Sequence, residues 1–106
     1  VRDISYADIP SNIKIISSHA FSSCKNLEHV KIPDNSELRS IEEGAFSETN
    51  IKEINIPSHV SIIGKYAFYS CENLEMIEIS ENSELQSNGF TRNKLMIPLS
   101  KRKLII

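Results

Sequence analysis

Apolar residues recur along this chain in a fixed rhythm, apolar-x-x-apolar-x-apolar. Leu27, Val30 and Ile32 precede Pro33; Ile51, Ile54 and Ile56 precede Pro57; Leu74, Ile77 and Ile79 precede Ser80; and Ile4, Ala7 and Ile9 precede Pro10. The last part of each motif alternates with period two, which predicts a strand with one buried face. Proline carries no N–H donor, so it ends a ladder where it follows such a segment. The pattern therefore predicts strands near residues 4–9, 27–32, 51–56 and 74–79, with a fifth near 94–97 ahead of Pro98.

A second pattern lies between the strands. Ile13 and Ile16 come before Phe21, Leu38 and Ile41 before Phe46, and Val60 and Ile63 before Phe68. In each case the first apolar residue stands eight before the phenylalanine. These apolar residues are few and mostly β-branched, which disfavours a long helix. They predict a short extended or 3₁₀ segment and a tight turn, with the phenylalanine filling the interior.

Two anchors share one period. The Ile-Pro positions advance by 23, 24, 23 and 18 residues, and the pairs Ala20-Phe21, Ala45-Phe46, Ala67-Phe68 and Gly89-Phe90 keep step. A unit of ~23 residues cannot bury its own apolar face, so neighbouring units must stack to make a continuous core. The expected fold is a solenoid with a parallel β-sheet along one side, turns on the other and little or no α-helix. All of residues 1–106 read as one such domain, with a degenerate terminal repeat over 80–106.

The two cysteines fall within this period. "AFSSCKNLEHVKI" (20–32) and "AFYSCENLEMIEI" (67–79) are identical at eight of 13 positions and each carries one cysteine, with Thr49 in the slot between. Equivalent positions two units apart stand ~9.5 Å apart at twice the strand spacing. A disulfide needs Cα atoms within roughly 7 Å. Cys24 and Cys71 are therefore expected to be unbridged, and the slot is read as one small, buried, weakly polar position.

Charge changes the picture at the C-terminus only. Residues 1–90 hold 7 basic and 14 acidic residues, whereas 91–106 hold five basic and no acidic ones. The stretch containing Lys101, Arg102 and Lys103 reads as a charged edge that discourages strand pairing. Contact with an acidic partner or an anionic lipid surface, or a nuclear-localisation patch, are the alternatives. No apolar run reaches the ~18 residues of a membrane span.

The units resemble the BspA-like, or treponemal-type, leucine-rich repeat, whose pattern is matched by "IPSNIKIISSHAFSSCKNLEHVKIP" and "IPSHVSIIGKYAFYSCENLEMIEIS". The second unit departs from it, with Thr49 for the cysteine and two extra residues in "DNSEL", and the fourth has lost its cysteine. The resemblance implies a curved leucine-rich-repeat solenoid that recognises a protein ligand, in an adhesin-like protein at the cell surface or secreted. A cytoplasmic scaffold or stacking element without a soluble ligand is the alternative. Repeat solenoids bind through their concave sheet. The residues expected to face a partner there form two columns, Tyr6–His29–Glu53–Met76 and Asp8–Lys31–Asn55–Glu78. A third column, Glu28–Lys52–Glu75, alternates in sign and reads as register support.

Nothing in the sequence assembles chemistry. No serine sits in a G-x-S-x-G elbow, the three glycines form no phosphate loop, and no nucleophile has an evident base. No enzyme activity, small-molecule substrate, metal or cofactor is expected. The N-terminal strand lacks a polar cover, which predicts a place in a longer array or end-to-end packing at that side.

Overall fold

The computed structural model describes residues 3–80, 84–85 and 103–105. Among the described residues eight strands occur in chain order: β1 (Tyr6–Asp8), β2 (Ile15–Ile16), β3 (His29–Lys31), β4 (Ser40–Ile41), β5 (Glu53–Ile56), β6 (Ile62–Ile63), β7 (Met76–Ser80) and β8 (Lys103–Ile105). All pairings are parallel, and there is no helix among the described residues. The long strands form two groups, β1-β3 and β5-β7-β8, while the two-residue strands form a sheet of their own, β2-β4-β6.

The strands are shorter than the apolar rhythm suggests, for a local reason. Leu27 and Leu74 are buried but precede their strands, and their amides bond back to the Cys24 and Cys71 carbonyls. The first apolar position thus belongs to the end of the turn. The other end behaves as proline chemistry requires: β5 stops at Ile56 before Pro57, whereas β7 continues through Ser80, which pairs with Ile105.

The segment expected as a strand at 94–97 lies outside the described residues. Beside β7 stands β8, with Leu104 in register with Ile79, 25 residues earlier. Lys101 and Arg102 also lie outside the described residues, and Lys103 opens β8.

The core is a single column. Ala7, Val30, Ile54 and Ile77 point inward from the long strands and are buried, as are Ile16, Ile41 and Ile63 from the short ones. The phenylalanines stack through the middle. Phe21 and Phe46 lie 5.3 Å apart and Phe46 and Phe68 5.7 Å, with ring planes within 5° of parallel. Phe46 and Phe68 are fully buried, whereas Phe21 is half-exposed and Ala20 beside it is exposed.

The turns are more regular than their sequences. Phe21, Phe46 and Phe68 are each flanked by two residues with positive φ: His19 and Ser23, Gly44 and Glu48, Tyr66 and Ser70, all between 56° and 65°. These left-handed positions interrupt the successive i→i+3 bonds, such as Ser22 N–H to His19 C=O, so no continuous 3₁₀ helix forms. They also let the turns bond to one another. His19, Phe21 and Ser23 N–H donate to the carbonyls of Glu43, Ala45 and Ser47 at 2.8–2.9 Å. Gly44, Phe46 and Glu48 N–H donate in turn to Lys65, Ala67 and Tyr69 at 2.7–3.0 Å. Each of three peptide groups in the middle unit thus accepts from the unit before and donates to the unit after.

The cysteine slot matches its reading. Neither cysteine is in a disulfide and both are buried. The Cys71 thiol donates to the Phe46 carbonyl at 3.0 Å and lies 3.4 Å from Thr49 Oγ1, which is also buried.

Candidate recognition surface

The long strands turn one set of side chains away from the core. Tyr6, Asp8, His29, Lys31 and Glu53 are exposed, and Asn55, Met76 and Glu78 half-buried. Tyr6 is the most open aromatic, at 53%. Register brings them into rows: Tyr6 beside His29, Asp8 beside Lys31, Glu53 beside Met76, and Asn55 beside Glu78, with Lys103 next along.

Each row, however, is broken at its middle. No ladder joins β3 to β5, so His29–Glu53 and Lys31–Asn55 are neighbours without strand pairing. The loop after β3 carries the two extra residues of "DNSEL". Asn55 partly repairs the gap: its Nδ2 donates to the Ile32 carbonyl at 3.3 Å. In the flanking column Glu28–Lys52–Glu75, the first pair is formed, with Lys52 Nζ 3.9 Å from Glu28 Oε1. Both side chains are well exposed, so the pair contributes at most about 1 kcal/mol.

Sequence reasoning missed four features of the surface. A cleft lies between the loop after β3 and the end of β5, walled by Pro33 and Pro57 and edged by Asp34 and Glu78. The length change in "DNSEL" was its only signal. On the turn side, Tyr66 and Tyr69 meet edge to face at 5.4 Å, with Lys65 Nζ 5.3 Å from the Tyr66 ring centre. On the short-strand sheet, Ile15 and Ile62 are about half-exposed on either side of Ser40. His59 Nδ1 lies 2.8 Å from Glu84 Oε2, an exposed pair that ties two successive loops together. Among the described residues no group of three or more His, Cys, Asp or Glu side chains could hold a metal.

Two solved structures are similar to this chain. A leucine rich cell surface protein from Faecalibacterium prausnitzii shares 33% identity at a TM-score of 0.67 over 79% of this chain. A leucine-rich repeat protein from Bacteroides ovatus shares 29% identity at a TM-score of 0.50, again over 79%. The match spans 21% and 30% of those two chains. No curated protein matches significantly. A family model of the BspA type leucine rich repeat region matches residues 2–98 in six copies. Repeat signature, parallel strand stacking and buried Phe column agree with that match over nearly the whole chain, and the chain belongs to the BspA-type leucine-rich-repeat family.

Proposed function

We propose that this chain is a non-catalytic protein-recognition module of an adhesin-like, surface-exposed or secreted protein. In this reading it is a solenoid whose concave side carries β1, β3, β5 and β7, and it binds through the side chains these strands turn outward. The observation that carries the reading is the division of the sheet. Its inward residues are buried while Tyr6, His29, Glu53 and Met76 stand in two register pairs on the accessible face. The Tyr6 ring and the Met76 thioether are side-chain types enriched on recognition surfaces, and His29 and Glu53 stand beside them. The similarity to a leucine rich cell surface protein supports the location.

The test is a displayed peptide library selected on the wild-type chain, then presented to a variant with Tyr6, His29, Glu53 and Met76 all replaced by alanine. Selected peptides are expected to lose the variant, while its melting temperature changes little because these side chains lie outside the core. Peptides that hold both proteins equally would overturn the assignment of the face.

A second reading has its own observation. Ala20 is exposed and Phe21 half-exposed, where the same positions in the next two units are fully buried. A stacking element that packs end to end through its first unit would cover them. Light scattering at low salt separates the readings, since a concentration-independent monomer excludes this one.

A further inference from the structure

At the C-terminal end of the sheet, between the loop after β3 and the end of β5, lies a cleft of about 280 Å³. Its cause is local. The loop from Pro33 to Leu38 holds two residues more than those from Pro10 to Ile13 and from Pro57 to Val60, so it cannot follow them residue for residue, and Pro33 and Pro57 wall the space beside it. Asn55 spends its Nδ2 on the Ile32 carbonyl, which leaves its Oδ1 as the acceptor end of that amide. The longer loop after Pro33 sets Asp34 at the rim, and β7 brings Glu78 to the lining from the next strand.

The lining has one kind of polar chemistry. Asp34 and Glu78 contribute carboxylates, Asn55 an amide oxygen and Ser58 a hydroxyl, and no Lys, Arg or His lines the cleft. The remaining surface is the carbon of Pro33, Ile56 and Pro57. Neither Asp34 nor Glu78 is in an ion pair among the described residues. Acceptors around an apolar slot complement a ligand with a carbon stem and a donor-rich, positively charged head. A bare metal ion suits the site less well, since half the wall is carbon and no metal-holding cluster is present among the described residues.

We propose that this cleft takes a basic side chain, arginine or lysine, from the protein ligand, with its methylenes against the prolines and its charge between Asp34 and Glu78. This rests on the recognition reading above and gives the partner a chemistry: a basic residue anchored at the edge of the bound face.

The test uses blocked Gly-Arg-Gly, Gly-Lys-Gly and Gly-citrulline-Gly peptides titrated into the isotopically labelled chain. Shifts are expected at the Asn55 side-chain amide and the Ile56 and Ser58 backbone amides. Binding should weaken about tenfold with citrulline, which keeps the shape and loses the charge, and about tenfold in Asp34→Asn or Glu78→Gln. The arginine and lysine arms decide which head group is preferred. Equal binding of citrulline, unchanged affinity in both isosteric variants, or shifts scattered away from the cleft would each overturn the proposal. Such a result would leave the wider face standing if library peptides still lose the fourfold alanine variant. Loss of the wider assignment with retained arginine binding would leave the cleft standing alone.

Discussion

At the scale of single residues, the informative position is the cysteine slot. Its occupants are small and buried because the slot sits against the Phe46 carbonyl, with room for one weak donor. The sequence shows that Cys24, Thr49 and Cys71 are equivalent. It cannot show the bond to Phe46, because that carbonyl lies 25 residues away and carries no side-chain signal. Burial pushes the Cys71 thiol above its ordinary pKa, opposed in part by the Thr49 hydrogen bond. The native state therefore holds this proton more tightly than the unfolded chain. The associated stability is complete below the ordinary thiol range, about pH 8.5, and is lost as pH rises toward the raised native value. The urea midpoint is expected to fall across that alkaline window, and to fall less in Cys71→Ser, which keeps a donor and does not titrate. Parallel declines in both proteins would remove Cys71 as the cause.

At the scale of elements, the turns and the phenylalanine column decide the packing. Phe46 is held between Phe21 and Phe68, so Phe46→Ala is expected to cost about 3–5 kcal/mol of unfolding free energy. Phe21→Ala should cost less, because its ring is only partly buried. Chemical denaturation of both variants measures the difference, and equal losses would contradict the burial gradient. Gly64 is a second sensitive point. A Cβ there would stand 2.4 Å from the Glu43 backbone nitrogen, and backbone cannot swing aside as a side chain can. Gly64→Ala is expected to destabilise the chain by about 1–3 kcal/mol through this overpacking. At Gly44 the clash is with the His19 ring, so adding His19→Ala should recover part of the loss there.

The elements were also where the sequence was most uneven as a guide. The period-two alternation located every long strand through β7, and the Phe spacing located the interior plugs. The left-handed turn positions were hidden, because five of the six are not glycine. The neighbouring units impose that backbone through the inter-turn hydrogen bonds, and a tertiary requirement of this kind overrides local preference. The break between β3 and β5 was hidden for a related reason: strand pairing depends on where two chains of atoms end, and the motif describes only one of them at a time.

At the scale of the whole molecule, stability is expected to run in a gradient along the stack. Each unit is bonded mainly to its neighbours, so an end unit has one supporting interface and a middle unit two. The amides of His19, Phe21 and Ser23 should exchange with solvent hydrogen through a lower-energy opening than those of Gly44, Phe46 and Glu48, although all six make the same kind of bond. Native-state hydrogen exchange resolves the two sets, and uniform protection would mean the units open only together. Family and repeat architecture were legible in the sequence because they are properties of spacing. The partner is not, because the exposed members of each strand carry no periodic constraint and differ from unit to unit.

The hydrogen-bonded turns have a direction. The peptide groups at 43–44, 45–46 and 47–48 all accept from the first unit and donate to the third, so their dipoles add in series, as they do along a helix. Among the described residues, the end nearest the first unit presents the carbonyls of Ser18 and Ala20, which occupy the accepting positions and receive no such bond. Two of these ends set face to face would oppose carbonyl to carbonyl. Association through these turn carbonyls must therefore be polar, head to tail, and a contact of that type does not close on itself as a twofold dimer does. If this chain self-associates by stacking, its assemblies should grow in length with concentration and should not stop at two.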